Sequence, residues 1–562
     1  MTELIMAAST IPIRPSAAEI ARTTAAAMPS EVSTRPLLGI LGVVTGAGLV
    51  TLAGRMISLG LADLRGHVGI GFDDGAWLDS AFNASLMFIG PFTVYLGGLL
   101  GPRRILLFAA GAFTLTCIFL PVIHSYSLLI IALIIAGLTS GTFYPLTLTF
   151  ALRNIPLRYL PFTIALYAVF VDGAVNVAPS LYGWYRDHLS WQWMFWESAV
   201  IAPAMMIFIY FGIPPSPPRK KSGPAPSFAG FLYLSAGLAL IFAALQQGQR
   251  LDWWRSGVFS AWFWSGSFFL LCALVRRLRA PNPLVALPYL LKWNTILLGC
   301  LLFWFRFTLC TTIILIPQSL AIRGFQADQI GPAIIWSAVP LIPIAFIAAL
   351  LLSHKVDPRL LFAAGLACTA FAAWLCSQYT TAWAAENFYR TELLVGVGQA
   401  FAFIGLVGCI VLQAIFTGAL AKPEWVLSLS AFFHVIRLFG GTAGAIYMGY
   451  FVAQREKLHS NLLGLHVTSG NWITDQNIHA MTAGLYAKTA GMATAGARAV
   501  DLIAARLRLQ AYSLSLGDGF LLISWSCACA LILVGLLRKS PLNYGDLSAM
   551  QQIPDAKKGS NQ

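Results

Sequence analysis

Apolar stretches of about twenty residues, separated by short polar segments, run along most of the chain. Their hydrophobic residues do not alternate with the two-residue period of a strand. Since a helix rises about 1.5 Å per residue, about twenty residues cross a hydrocarbon core of about 30 Å. The pattern predicts an all-α polytopic membrane protein with 14 transmembrane helices, at about 37–60, 76–98, 105–123, 126–150, 162–184, 194–213, 228–246, 257–275, 294–319, 329–353, 359–378, 391–416, 426–453 and 517–537.

Composition excludes an ordinary soluble protein. The 562 residues are 58% hydrophobic and 10% charged, whereas soluble domains carry about 25% charged residues. The net charge of +14 is spread over short loops and tails, which is typical of membrane topology, so we expect no nucleic-acid partner. The nine cysteines lie in predicted spans without a CxxC pair or a histidine cluster. We therefore expect no metal site, disulfide framework or cofactor.

Lysine and arginine residues indicate which side of the membrane each loop faces. Most of them lie in the two tails and in the loops that follow even-numbered spans. The short loops on the opposite side carry only Arg65, Arg186, Arg250, Arg255, Arg323 and Arg390. Because cytoplasmic loops are enriched in positive charge, we expect both termini in the cytoplasm and a location in the inner (plasma) membrane.

Two interruptions divide the expected helices. Residues 214–227 (PPSPPRKKSGPAPS) are proline-rich and basic, and residues 454–516 form a long outer segment whose later part is alanine-rich and favours helix. The outer segment is either a helical hairpin resting on the membrane or the bundle, or a partner-docking element. The expected first half is a flexible cytoplasmic tail (1–36), an N-terminal six-helix bundle (37–213) and a cytoplasmic linker (214–227). Two additional transmembrane helices (228–275) follow. The expected remainder is a C-terminal six-helix bundle (276–540), which includes the extracytoplasmic helical segment 454–516, and a cytoplasmic tail (541–562).

The thirteenth predicted span carries a motif. The stretch 428–450 reads SLSAFFHVIRLFGGTAGAIYMGY, and residues 190–195 before the sixth span read SWQWMF. The motif residues of the thirteenth span are Arg437, Gly440, Gly441 and Gly444. Both stretches resemble the fourteen-span drug:proton antiporters of the EmrB/QacA type within the major facilitator superfamily. The resemblance covers about residues 37–540, and it implies two six-helix bundles plus two extra helices, with substrate bound near the membrane midplane.

The turn after the second span departs from the pattern of that family. It reads VYLGGLLGPRR, with Gly98 where the family has an aspartate. In the family this turn helps to lock the inner gate, which implies gating roles for Gly97, Gly101, Arg103 and Arg104. Without the acid, simple positive-inside anchoring is an equal alternative for the arginines.

Several ionisable residues fall inside the predicted spans. A charge in the hydrocarbon region costs at least about 2.5–3.5 kcal/mol on insertion scales, so such residues normally face the bundle interior or a water-filled cavity. We expect Arg437 to be structural or gating, because it matches the family motif, and His434 to be packed in the core. The candidates for the substrate and proton pathway are Arg55, Asp79, Asp172, Arg306 and Glu392.

These candidates leave alternatives open. Asp172 either exchanges protons, as a buried carboxylate can near neutral pH, or forms a structural ion pair. Arg55 and Arg306 favour an anionic substrate, because arginine binds carboxylate bidentately, but they could equally pair with Asp172 or Glu392. Glu392 is either a coupling residue or a residue at the outer boundary, and Asp79 lies near the wet end of its span.

Together these features predict a secondary active transporter. The expected activity is proton-coupled multidrug or small-molecule efflux of amphipathic compounds by alternating access, with anionic compounds as a candidate class. A facilitator or importer and a non-transporting sensor or assembly subunit are the alternatives. We expect no enzyme, since the chain has neither a phosphate-binding loop nor a nucleophile–base motif. The expected partners are the lipid bilayer, a small-molecule substrate and the proton, and the resemblance adds a periplasmic adaptor protein and an outer-membrane channel.

Overall fold

A computed structural model describes residues 35–155, 157–214, 228–279, 290–417, 423–468, 470–489 and 491–547. All regular elements in these ranges are helices, which confirms the predicted all-α class. The predicted tail 1–36 and linker 214–227 lie outside the described residues except at 35, 36 and 214. The predicted tail 541–562 is described only as far as residue 547.

Nineteen α-helices are described, and they are numbered here in chain order. The first eight are α1 Pro36–Leu59, α2 Leu61–Val68, α3 Phe72–Leu100, α4 Pro102–Phe119, α5 Tyr126–Ser140, α6 Phe143–Asn154, α7 Leu160–His188 and α8 Trp193–Gly212. The others are α9 Phe228–Gly248, α10 Gly257–Arg279, α11 Trp293–Thr308, α12 Ile316–Ala321, α13 Ala327–Ile334, α14 Leu341–Ser353, α15 Pro358–Cys376, α16 Tyr389–Phe416, α17 Pro423–Gly464, α18 Trp472–Tyr486 and α19 Met492–Gly535. A π-helix, Thr311–Leu315, joins α11 to α12.

Thirteen helical stretches among the described residues are long and apolar enough to cross a membrane. They coincide with thirteen of the fourteen predicted spans. The remaining predicted span, 76–98, lies inside α3, which has 29 residues and is therefore long enough for a crossing. Its first part is made more polar by Asp73, Asp74 and Asp79. The predicted class of polytopic membrane protein is confirmed.

The helices pack in two sets, and a pair of helices lies beside the first. Helices α1–α8 form the first set, in which α7 also packs extensively on the second, and α11–α17 together with α19 form the second set. Helices α9 and α10 pair with each other, and α9 rests on α3, where Gln247 donates a hydrogen bond to the carbonyl of Ala76 at 2.8 Å. The two sets meet where α7 packs on α13, α14 and α16, and where α17 packs on α3 and α6.

Glycines permit the closest helix contacts. A Cβ atom on Gly212 of α8 would lie 2.0 Å from the nitrogen of Gly39 on α1. Within the second set, a Cβ on Gly365 of α15 would lie 2.2 Å from the nitrogen of Ala402 on α16. Only glycine allows these backbones to approach so closely, as is common between membrane helices. The close contacts bury α16 deeply in the second set.

Helices α17 and α19 are longer than a membrane crossing. Their 42 and 44 residues correspond to about 63 and 66 Å at about 1.5 Å per residue. Asp518 of α19 joins the two helices, because its Oδ2 lies 2.6 Å from Arg455 Nε and 2.7 Å from His459 Nε2. The segment 454–516 therefore continues two spanning helices, with α18 packed on α19, instead of forming a separate hairpin on the membrane.

The chain after α19 returns to the second set. Tyr544 is 1% exposed, and its hydroxyl donates a hydrogen bond to the carbonyl of Gly408 on α16 at 2.8 Å. Asn543 donates to the carbonyl of Lys355 at 2.7 Å, and Lys355 Nζ lies 2.9 Å from Asp546 Oδ1. Residues 543–547 therefore dock against α16 and the end of α14.

Candidate functional site

Three charged residues lie near one another where the two sets of helices meet. Asp172 is on α7, and the charges that act on it are those of Arg306 on α11 and Arg437 on α17. Asp172 is 1% exposed, and neither carboxylate oxygen has a hydrogen-bond partner among the described residues. The ion pairs found in these ranges include none of the three. Because buried charges are normally paired, this charged cluster has unused capacity for a ligand.

Two glycines of α17 make room for Arg306. A Cβ on Gly441 would lie 3.3 Å from Arg306 Nη2, and a Cβ on Gly440 would lie 3.2 Å from Arg306 Cβ. Gly440 also approaches the backbone of α11, since its Cβ would lie 3.0 Å from the Cα of Phe303. Arg306 is half-buried, and its Nε and Nη1 have no partner in the described part of the chain. The glycine motif therefore brings α11 and its arginine against α17.

A cavity lies between the two sets of helices beside this cluster. It is partly open, and the empty space within it and in the solvent at its mouth is about 510 Å³. Its walls are apolar and aromatic with few polar groups, which is typical of small-molecule sites. The lining residues are Tyr144 of α6, Tyr167 of α7, Leu302 of α11, Phe403, Val407 and Ile410 of α16, and Ser430, Phe433, His434 and Arg437 of α17.

Arg437 and His434 are the basic groups of the cavity wall. The guanidinium carbon of Arg437 lies 3.3 Å from the centre of the Tyr144 ring, which is a cation–π contact. His434 is 4% exposed and packs against Gly90 of α3, where a Cβ would lie 2.4 Å from the imidazole Cδ2. The backbone of Leu86 is near the imidazole, but neither ring nitrogen has a partner with hydrogen-bond geometry among the described residues.

A buried polar bridge crosses between the two sets one helical turn from Asp172. Asn176 Nδ2 donates to Gln399 Oε1 at 2.8 Å, and Gln399 Nε2 donates to Thr312 Oγ1 at 3.3 Å. Thr312 belongs to the π-helix, an irregularity often found at functional sites. The carbonyl of Ile313, in the same π-helix, accepts a hydrogen bond from Arg55 at 3.2 Å.

Arg55 belongs to a second charged pair, separate from the cluster around Asp172. Asp79 of α3 is the charge that acts on Arg55. The carboxylate of Asp79 accepts hydrogen bonds from Asn83 and from Gln246 of α9. Asp79 therefore lies half-buried between α3 and α9 instead of at a wet helix end. Arg55 and Arg306, which were expected to act together, lie in different charged groups.

Glu392 is the most isolated of the predicted carboxylates. It lies in the first turn of α16, is 0% exposed, and has no hydrogen-bond partner on either oxygen among the described residues. Ser337 is its polar neighbour, and no basic group acts on it within these ranges. Ionisation of a carboxylate in such surroundings is costly.

The glycine-rich turn after the second predicted span connects α3 to α4. Gly101 has φ +82°, which favours glycine, and it separates α3 from α4. Arg103 donates to the carbonyl of Tyr210 on α8 at 2.9 Å and lies over its ring. Arg104 is exposed, and Gly97 packs against Leu146 of α6.

Several lining residues were not singled out by their sequence pattern. Tyr144, Tyr167 and Phe403 come from three helices, and aromatic residues are too common in spanning helices to mark a site. His434 was expected in the core, and it is buried, but it lies one turn from Arg437 on the cavity wall. The sequence feature that could have indicated the position of His434 is its i, i+3 spacing from Arg437, which places two basic residues on one face of an apolar helix.

The fold is that of a polytopic membrane carrier, with two sets of helices and a site between them. The chain belongs to the Major Facilitator Superfamily, whose sequence model matches residues 43–445. Members of this superfamily are transporters and not enzymes, in agreement with the prediction. The superfamily predicted from the residue motifs is thus confirmed.

Curated relatives and solved structures agree with this assignment. The multidrug export protein EmrB of Escherichia coli (strain K12) is 23% identical over 510 residues, which are 88% of this chain and 93% of that protein. The fatty acid resistance protein FarB of Neisseria gonorrhoeae is 23% identical over 409 residues, 72% of this chain and 78% of that protein. The structure of the proton:xylose symporter XylE has a TM-score of 0.55 at 11% identity and covers 93% of this chain and 100% of that one, which shows the shared fold.

Proposed function

We propose that this protein exports amphipathic small molecules across the inner membrane by alternating access, coupled to proton entry. The observation that supports this most strongly is the unpaired charged cluster of Asp172, Arg306 and Arg437 beside an aromatic cavity between the two sets of helices. The names of the relatives, a multidrug export protein and a fatty acid resistance protein, favour export. The positive-inside pattern supports cytoplasmic termini.

Alternating access requires contacts between the sets that can break and re-form. The polar bridge from Asn176 to Gln399 is such a contact, and so is the hydrogen bond from Ser430 on α17 to the carbonyl of Pro145 on α6 at 2.8 Å. Both cross the boundary beside the cavity. Their rupture would open the cavity to one side, in the manner of rocking bundles. The domains 37–213 and 276–540 are accordingly proposed as the moving units, with residues 228–275 carried by the first.

We assign proton exchange to the buried carboxyl groups. Asp172 has two arginines near it, so its charge is compensated, whereas ionised Glu392 would be uncompensated. Glu392 must therefore take up a proton before this conformation forms and can lose it only when the conformation changes. That linkage between protonation and conformation is what a proton-driven carrier needs.

The projecting parts of α17 and α19 are proposed to contact a periplasmic adaptor protein. They carry exposed apolar side chains well beyond one membrane thickness, such as Leu462 at 50% and Trp472 at 73% exposure, the latter on α18. Large exposed apolar surface favours a partner. An outer-membrane channel would then complete the export path.

Proteoliposomes with an imposed pH gradient test the proposed function. Uptake of a panel of radiolabelled amphipathic compounds should follow the gradient in the wild type. Glu392→Gln should abolish gradient-driven uptake and retain gradient-free exchange, because a permanently neutral side chain permits this conformation but carries no proton. Glu386→Gln is the matched control, since Glu386 is exposed only six residues earlier. Ligand binding without any flux in the wild type would instead indicate a sensor.

A further inference from the structure

The charges around the cavity do not balance. Arg306 and Arg437 contribute two positive charges and Asp172 one negative charge, which leaves +1. Arg55 and Asp79 compensate each other elsewhere, and no carboxylate is among the described lining residues. When the cavity closes and excludes water, an uncompensated charge inside it raises the free energy of the protein. One monovalent anion would bring the closed site to neutrality, whereas a cation would raise its charge to +2.

The basic groups of the wall have free hydrogen-bonding capacity. Arg437 Nε is buried and unpaired in the described part of the chain, and both nitrogens of His434 are also unpaired there. Arginine and histidine side chains can donate to carboxylate oxygens, and such charge-assisted hydrogen bonds are the stronger kind. Since the two residues are three positions apart on one face of α17, both can contact one carboxylate.

The apolar and aromatic part of the cavity wall determines which uncharged part of a ligand would fit. The rings of Tyr144 and Tyr167 lie 6.0 Å apart in a T-shaped pair, and Tyr167 lies 5.5 Å from Phe403. Aromatic rings favour such edge and offset contacts with one another. The planar ring of a ligand could therefore pack against these side chains in the same way. An apolar body with one acidic group therefore matches the wall better than a polar anion does.

From this charge balance and geometry we infer that the cavity binds a monovalent aromatic carboxylate. Its carboxylate contacts Arg437 and His434, and its ring lies among the aromatic side chains of α6, α7 and α16. This inference rests on the proposed function for the role of the cavity, but it concerns binding alone and requires neither a gradient nor a direction of transport.

Three probes of similar shape test the inference on the purified full-length protein. Benzoate carries a negative charge, benzamide none and benzamidinium a positive charge, and each has one planar substituent directly on the ring. In titration calorimetry at one pH, we expect benzoate to bind at least about tenfold more tightly than either of the others, because an unpaired buried charge is costly. Equal affinity for the three, or tighter binding of the cation, would overturn the inference without any variant.

Substitutions that remove either a positive or a negative charge then test whether the ligand binds at this charged cluster. Arg437→Gln should weaken benzoate binding at least about tenfold, and Arg437→Lys should weaken it less. Asp172→Asn removes the only negative charge of the cluster and should tighten benzoate binding several-fold. Benzamide should respond little to either change. If Arg437→Gln and Asp172→Asn shifted benzoate affinity in the same direction, or neither shifted it, the assignment would be wrong. Anion binding without gradient-driven flux would refute the proposed function and leave this inference standing.

Discussion

The contact between α11 and α17 can be tested by adding one methyl group. In Gly440→Ala, the new Cβ would lie 3.0 Å from the Cα of Phe303 and 3.2 Å from Arg306 Cβ. Carbon atoms prefer separations of about 3.5–4.0 Å, so both contacts are tighter than ordinary ones and the neighbouring helix must yield by a few tenths of an ångström. The neighbour at the closest point is backbone and cannot rotate away, so the two helices must separate. Overpacking of this kind typically costs about 1–3 kcal/mol.

A matched substitution removes the effect of helix propensity. Replacing a helical glycine by alanine gains up to about 1 kcal/mol, and this gain applies equally to Gly449→Ala on the same helix. There the new Cβ would meet only Gln249 Oε1, at 3.7 Å, which is an ordinary contact. The difference between the two variants therefore isolates the clash and should be about 1–3 kcal/mol. Thermal unfolding in detergent should give a lower Tm for Gly440→Ala than for Gly449→Ala.

The same variants also separate stability from ligand binding. Gly440→Ala moves α11 and with it Arg306, so benzoate affinity should fall together with Tm. In Gly441→Ala the new Cβ meets only the guanidinium of Arg306, at 3.3 Å from Nη2, and a flexible side chain can yield. We expect that variant to change benzoate affinity more than Tm. Equal Tm values for Gly440→Ala and Gly449→Ala would refute the geometric reasoning.

Two predictions concern the docked chain after α19. Tyr544→Phe removes the hydrogen bond to the carbonyl of Gly408, which lies inside α16 and keeps its place in the helix, so the change should cost about 0.5–1.5 kcal/mol and increase hydrogen exchange at residues 543–547. The hydrogen bond and charge of Lys355 lower the pKa of Asp546, so this contact stabilises docking above the ordinary aspartate pKa of about 3.9 and is lost as pH falls below it. Protection of these amides, corrected for the intrinsic exchange rate, should fall on acidification below about pH 4, and Lys355→Gln should weaken that dependence, since only the backbone N–H of Asn543 would still favour the ionised form of Asp546; an unchanged profile in that variant would contradict the assigned ion pair.

Hydropathy was sufficient to predict the thirteen apolar spans that the described residues show, because the cost of exposing backbone and charge to lipid dominates every other term there. The same cost identified Asp172, Arg306 and Glu392 as residues of the interior. It could not predict which of them face one another, because the depth of a residue in a span does not determine the direction in which its side chain points. Arg55 shows this limit, since the charge that acts on it is that of Asp79, and it does not join the group around Arg306.

Other features were outside the reach of the sequence pattern for different reasons. The parts of α17 and α19 that exceed a spanning length are more polar, so the apolar signal ends there but helix propensity does not. Their continuity depends on tertiary contacts such as the one between Arg455 and Asp518. The docked segment 543–547 is too short to show any periodicity. Its position depends on one buried tyrosine, and a single aromatic residue in a polar tail does not predict docking.

Helix α17 combines roles that would otherwise need separate elements. Successive turns of one face carry His434 and Arg437 on the cavity wall, then Gly440 and Gly441 against Arg306, and then Gly444, where a Cβ would lie 3.0 Å from the ring of Phe307. A ligand that draws Arg437 and Arg306 together must therefore act on the contact between α17 and α11. Since α17 also packs on α3 and α6 of the first set, a change in that contact reaches the boundary between the sets. Charge compensation in the cavity and movement of the two sets are thus linked through a single helix.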